Sequence, residues 1–392
     1  MTIKTAPSRD ELIGRVSELV PVFNKNAPWQ EENRVLHPDS IDALTDAGLL
    51  KLTLPARYGG YESDTTTTVD VLTEMALGDG AVSWVATVWT ISNWLAGLFS
   101  DEVQDEVFGS GDARISGTFA PGAAGVPVDG GAVFNGKWGF NTAAPQSNWN
   151  AHAAVRIVEG QQPEPVLILV PMSDLEVMDD WHASGLRGSS SVTTIANNVF
   201  VPDSRILPML PVLQSGTHRS VLNAAAKMWN TPFLPLATAV VCGTHLGLAR
   251  AAYAAFMERL PTRVITYTDY EHQSHAPLTH LQIADATGRI DEADFHTHRV
   301  AAKLDAKAGE PWTLLDRVSA RLDLGLTVQR SREAVDILAT ASGASSVLDT
   351  VPIQRIARDS RAIGLHAYHH PNTNMELYGR VVAGLEPNTI FL

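Results

Sequence analysis

Near the end of the chain, Ile363-Gly364-Leu365-His366-Ala367-Tyr368-His369-His370 follows Arg358-Asp359, and no carboxylate occurs between Asp359 and Glu376. Imidazole has an unperturbed pKa of about 6.5, so His366 can take a proton from a phenol-like hydroxyl or donate a hydrogen bond to an oxygen. Thirteen histidines occur, and a histidine in a helical stretch is more often structural than catalytic, so position rather than residue type must single His366 out. Metal chemistry is not indicated: His296 with His298, and His275 with His280, lack Cys or acidic partners at a ligand spacing. There is no Gly-x-Ser-x-Gly elbow for a serine hydrolase. Gly78-x-Gly80 is followed by Ser83 and lies between helical stretches, so it makes no dinucleotide fingerprint, and direct use of NAD(P)H is not expected. Trp84, Trp89 and Trp94 share one helical segment and, with Tyr368, are candidates for an aromatic pocket. Their five-residue spacing spreads them around the helix, which suits core packing equally.

The elements that must position these residues fall into three parts. Ser8 with Glu11 makes a capping box ahead of Leu12, Val16, Leu19, Val20 and Phe23, one face of a helix. Pro38 to Ala47 reads as a short helix stopped by Gly48, and residues 66–77 and 81–98 as two more, divided at Gly78-Asp79-Gly80. From Ala113 the pattern turns to short runs rich in β-branched and aromatic residues, predicting strands over 151–158, 166–170 and 191–201 in an antiparallel β domain. Asn135-Gly136 carries the signal of a tight hairpin. After Ser220 the chain is rich in Ala and Leu, predicting helices over 222–259, 278–307, 311–341 and 350–369. These exceed the mean helix of about 11 to 12 residues and suggest a bundle. The α+β reading is an N-terminal helical domain (1–112), a central β domain (113–218) and a C-terminal four-helix bundle (219–392), packed as one unit.

Composition narrows the partners. With 45% hydrophobic and 18% charged residues, the 392-residue chain has the balance of a folded protein with a large core. A net charge of −14 without a basic run argues against nucleic acid. Cys242 is the single cysteine, so no intrachain disulfide forms. Met1-Thr2-Ile3-Lys4-Thr5 opens no signal peptide, and a cytoplasmic address is expected. The most apolar stretch, Phe233 to Cys242, falls short of the roughly 18 to 20 residues that span a bilayer, so no membrane association is expected.

The three-part order and several motifs resemble the acyl-CoA dehydrogenase superfamily, and within it the flavin-dependent monooxygenases that receive reduced flavin from a separate reductase. Leu54-Pro55-Ala56-Arg57-Tyr58-Gly59-Gly60 resembles the family's early Pro-x-x-Tyr-Gly-Gly turn, and Leu77-Gly78-Asp79-Gly80-Ala81-Val82-Ser83-Trp84 its helix junction. Ser184-Gly185-Leu186-Arg187-Gly188-Ser189, followed by Asn198-Val199-Phe200-Val201-Pro202, resembles its Gly-x-Arg-Gly loop and closing strand. Asn135 to Ala143 is similar to the flavin segment, which implies that Phe140 packs on the isoalloxazine while Thr142, after Asn141, hydrogen-bonds N5. Gly117-Thr118-Phe119-Ala120-Pro121-Gly122 matches the other flavin-edge loop, with Thr118 and backbone amides as donors. A flavin needs such an arrangement on general grounds: an apolar wall and a few fixed polar atoms at N5 and the carbonyls. Arg263, and Ala341-Ser342-Gly343-Ala344 with Gly343 at the turn, resemble parts that hold flavin phosphates across a subunit interface, although Ser342 departs from the family's Gly-Gly pattern.

Arg358-Asp359, followed by His366-Ala367, resembles the monooxygenase arrangement, where the dehydrogenases place a glutamate base. The resemblance implies an oxygenase component that uses FADH2 or FMNH2 and O2 through a C4a-hydroperoxyflavin. It would hydroxylate an aromatic or polycyclic small molecule, in natural-product biosynthesis or aromatic catabolism. Its partners would be an NAD(P)H-dependent flavin reductase and further copies of itself, as a tetramer or a dimer. N-oxygenation of an amine or amino sugar is an alternative. So are an acyl-CoA oxidoreductase with Glu376 as a displaced base, and a non-catalytic binding protein of the same fold.

Overall fold

The computed structural model describes residues 6–216 and 218–392. The opening segment Met1 to Thr5, read above for targeting, lies outside the described residues. Helix α1 (Arg9–Asn33) starts at the expected capping box: Ser8 Oγ accepts from Glu11 N at 3.3 Å and the Glu11 carboxylate accepts from Ser8 N at 2.8 Å. It buries Leu12, Val16 and Phe23 and continues through Pro21 and Pro28. After α2 (Pro38–Asp46) the chain turns at Gly48, whose φ of 72° suits glycine. Helices α3 (Thr65–Gly78) and α4 (Gly80–Ala96) meet at Asp79, which caps α4 by accepting Val82 N–H at 2.9 Å; α5 (Asp101–Phe108) closes the first unit.

Eight strands follow: β1 (Ile115–Thr118), β2 (Ala123–Val128), β3 (Gly131–Asn141), β4 (Trp149–Arg156), β5 (Glu164–Pro171), β6 (Glu176–Val177), β7 (Val192–Pro202) and β8 (Ile206–Pro208). They form one sheet ordered β6-β7-β3-β2-β4-β5-β8, with β1 beside β4. The sheet is mostly antiparallel, but β1 and β2 each pair with β4 in parallel, which makes it mixed. Asn135-Gly136 is not the hairpin turn. The turn is Asp129-Gly130, which joins Val128 to its partner Gly131. Asn135-Gly136 instead makes a bulge inside β3, where the register against β7 shifts between Phe134 and Gly136. Any Cβ at Gly136 would stand 2.4 Å from Gly122 O, so the glycine answers a close approach of backbones rather than a turn.

A short helix α6 (Met209–Ser215) follows β8, and the last unit comprises α7 (Phe233–Arg259), α8 (Pro277–Ala306), α9 (Leu314–Ala341), α10 (Pro352–Ile363) and α11 (Pro371–Val382). Two predicted helices are shorter than expected. Residues 222–232 are turns with one 3-10 segment, because Trp229 must leave the helical path to stack on Trp94, 5.9 Å between centroids. α10 stops at Ile363, so His366 lies in the turn before α11, not on a helix. α7 is long and apolar enough to cross a membrane, yet 94% of its most apolar stretch is buried inside this fold, against α3, α4, α8, α9 and α10. One apolar core runs from α1 through α7 to α10, and a smaller one, around Phe134, Trp138 and Ile168, lies on the other face of the sheet.

Candidate flavin and oxygen site

Trp84, buried on α4, joins two groups of polar side chains. Its Nε1–H donates to Thr142 Oγ1 at 3.2 Å, while its ring stands edge-on to His366 and His369, at 6.0 and 5.5 Å between centroids. Thr142 follows β3 directly. Its Oγ1 is 2.8 Å from Ser191 Oγ, which is 2.8 Å from Ser189 Oγ, and Ala143 N–H donates to Ser189 O at 2.8 Å. The loop bearing these serines is fixed to α10. Asp359 accepts Leu186 N–H at 2.5 Å and Arg358 donates to Ser184 O at 2.7 Å. A Cβ at Gly185 would lie 2.2 Å from Arg358 O. Burial, reinforced by neighbouring Asp79, pushes Asp359 up to about 7. One helix therefore positions both sides of the site, Thr142 through the serine loop and His366 through its own C-terminal turn.

In that turn His366 Nδ1 accepts the Tyr368 N–H at 3.2 Å, which leaves the proton of the neutral ring on Nε2. His366 is crowded by protein, which lowers its pKa to about 4, but part of the residue stays exposed. Its ring is 4.3 Å from that of His369, and His369 Nδ1 is 3.2 Å from His245 Nε2 on α7. Burial lowers His245 to about 3 and His369 well below the usual range, so the trio is neutral at pH 7. His245 Nδ1 has no partner among the described residues, and the arrangement that buries no unpaired donor has His245 Nε2–H donating to His369. Tyr368 is held by Thr238 Oγ1 at 2.8 Å and lies under the Arg321 guanidinium, 3.8 Å from ring centroid to Cζ.

The remaining sequence candidates divide. Phe140 is 76% exposed at a φ of 57°, with Trp181 at 6.0 Å between centroids, and offers an apolar face beside Thr142. Asn141 turns away into the sheet, donating to Asn150 at 2.7 Å and Thr194 at 3.0 Å, and so braces the strand end that carries Thr142. Thr118 ends β1, and its buried Oγ1 has no partner among the described residues; Phe119 leans on Phe233 at 4.9 Å. Trp89 belongs to the core, 1% exposed with its N–H bonded to Ser147 at 2.9 Å. Arg263 and Gly343 meet each other, not Thr142. Arg263 donates to Ser345 Oγ at 2.6 Å and Ser342 O at 3.0 Å, around a turn where Gly343 has a φ of 66°. Arg259 donates to the same Ser345 Oγ at 3.2 Å, and among the described residues neither arginine pairs with a carboxylate. By helical rise the Arg259 end of α7 stands roughly 20 Å from His245. Ser189, Ser191, His245, His369 and Arg259 are not among the site residues expected from the sequence. Only the serines had a local signal, the Ser-rich run after Gly188. A surface cleft of about 390 Å³ near Arg156 and Arg219 shares none of these residues.

The residues fit a flavin: an exposed aromatic face at Phe140, an unpaired buried hydroxyl at Thr118, a hydroxyl at Thr142, and paired arginines without acidic partners among the described residues. Comparisons with known proteins agree. The models for the N-terminal and C-terminal domains of acyl-CoA dehydrogenase match residues 17–108 and 239–371. The chain is 30% identical to the flavin-dependent monooxygenase oxygenase subunit HsaA of Rhodococcus jostii over 374 residues, covering 95% of this chain and 98% of that one. It is 30% identical to a pigment production hydroxylase of a Rhodococcus species over 379 residues, covering 96% and 97%. Its fold matches XiaF from a Streptomyces species, solved with FADH2 and glycerol, at a TM-score of 0.92 and 29% identity over 97% of both chains. The chain belongs to the acyl-CoA dehydrogenase superfamily. Within it, the chain groups with the oxygenase subunits of two-component flavin-dependent monooxygenases, whose reduced flavin comes from a separate reductase component.

Proposed function

We propose that this protein hydroxylates an aromatic small molecule with O2 and reduced flavin, and that Thr142, Trp84 and His366 form the reacting centre. The reading rests on their convergence from the sheet, α4 and the α10–α11 turn. Reduced flavin, when bound, supplies the electrons that allow one oxygen atom to enter the substrate and the other to leave as water. Phe140 and Thr118 would hold the ring and its edge, and Thr142 would meet N5. His366 presents Nε2–H, so it acts as a hydrogen-bond donor toward oxygen. It can take a proton only by giving up the Tyr368 N–H bond. Trp84, His369 and the other buried groups exclude water, which otherwise diverts the oxygen to hydrogen peroxide.

The acyl-CoA oxidoreductase alternative has no base in this arrangement. Glu376 faces outward on α11, where Asn388 donates to it at 2.9 Å. The separation of roughly 20 Å between the Arg259 end of α7 and His245 favours an oligomer in which Arg259 and Arg263 of one copy serve the flavin phosphates of another. A dimer or tetramer satisfies this. Incubation with chemically reduced FAD or FMN, O2 and a panel of phenols and polycyclic aromatics tests the function. Oxygen incorporated from 18O2 supports it. Peroxide alone across the panel, with anaerobic bleaching of bound oxidised flavin by acyl-CoA, refutes it.

A further inference from the structure

Indole nitrogen only donates, so at 3.2 Å the direction of the Trp84 to Thr142 bond is fixed. The next two contacts are not fixed. Thr142, Ser191 and Ser189 are joined at 2.8 and 2.8 Å, and in each bond either oxygen can be the donor. All three are buried, at 4%, 5% and 0% exposure. Among the described residues, none of these hydroxyls reaches a carboxylate, a carbonyl or a charged group that would settle which way the chain points. The direction is therefore set by whatever meets Thr142 from outside. If that atom donates, Thr142 points its proton at Ser191, and Ser191 points at Ser189. If that atom accepts, all three hydroxyls turn and Thr142 donates outward.

Flavin N5 makes that change during turnover: it carries a hydrogen when reduced and only a lone pair when oxidised. We propose that Thr142, Ser191 and Ser189 form a reversible hydroxyl chain that matches the site to both redox states of the flavin, and that Ser191 sets which state is held more tightly. This rests on the placement of N5 at Thr142 proposed above. No proton is transferred along the chain; three O–H groups reorient. Without the Ser191 hydroxyl, the Thr142 proton has no inward acceptor and faces the ligand. It then still donates to oxidised N5 but opposes the N–H of reduced N5.

The test uses the full chain and FAD. Dissociation constants are measured for oxidised FAD and, anaerobically, for dithionite-reduced FAD, with wild type, Ser191→Ala, Ser189→Ala, Ser191→Thr and Thr142→Val. One hydrogen bond is worth about 3- to 10-fold in affinity. Ser191→Ala is expected to weaken reduced FAD by that factor relative to oxidised FAD. Ser189→Ala shifts the ratio the same way but less, and Ser191→Thr, which keeps the hydroxyl, restores it. Melting curves verify that each variant is folded. If Ser191→Ala weakens both states equally, or shifts the ratio toward reduced FAD, the hydroxyl chain is wrong while the flavin site stands, provided Thr142→Val weakens binding. If Thr142→Val changes neither affinity, N5 does not lie at Thr142 and both readings fall.

Discussion

Substituting His366 by glutamine and by alanine separates hydrogen-bond donation from proton abstraction. The ring's Nδ1 is engaged by Tyr368 N–H, and crowding by the surrounding protein lowers its pKa to about 4. At pH 7 roughly one ring in a thousand is then protonated, and the group facing the ligand is a neutral Nε2–H. The glutamine side chain would carry an amide N–H at a similar reach, whereas alanine would carry no donor. With reduced FAD and O2 but no substrate, the rate of hydrogen peroxide release measures how well the site retains oxygen. Losing one donor costs about 1 kcal/mol, so His366→Ala is expected to release peroxide about 5-fold faster, with His366→Gln within about 2-fold of wild type. The wild-type rate should stay flat from about pH 8 down to about pH 5 and change only as the ring protonates near 4. An inflection near the ordinary histidine value that disappears in His366→Gln, or a glutamine variant as leaky as alanine, would refute the donor role.

The His298 imidazolium bridges Asp294 and Asp70, with Nε2 2.9 Å from Asp70, and these partners raise its pKa to about 10. The folded state holds that proton more tightly than the unfolded chain. The stabilisation, about 2 kcal/mol after allowance for solvent, is therefore complete below about pH 6.5 and lost as pH rises through about 10. The melting temperature of His298→Gln should lie below wild type at pH 6 and converge with it by about pH 10; a constant gap would contradict the bridge. Gly185→Ala drives a Cβ into Arg358 O and should destabilise the fold by about 1–3 kcal/mol, measured by denaturant melts. Arg259→Ala and Arg263→Ala should each weaken FAD about 10-fold and leave riboflavin, which has no phosphate, unchanged. Equal losses for both ligands would mean the arginines are structural.

What could be read along the chain is what local physics controls. The capping box at Ser8, the stop at Gly48 and the division of two helices at Gly78-Asp79-Gly80 each depend on a few neighbouring residues, so their spacing carries the signal. The absence of a carboxylate between Asp359 and Glu376 is equally plain. Asn135-Gly136 misleads because a bulge and a hairpin use the same dipeptide. Only the approach of Gly122, just ahead of β2, decides between them. The chemistry of the site is decided at long range. His369 meets His245 across 124 positions, Thr142 meets Ser191 across 49, and Trp84 meets Thr142 across 58. The sequence singles out His366 and Thr142 as candidates only through their place in the motifs. The nitrogen that bears the proton, the low pKa and the free direction of the hydroxyl chain follow from burial and from partners that only the folded chain brings together, because desolvation and hydrogen bonding act over a few ångströms of space, whatever the separation in sequence.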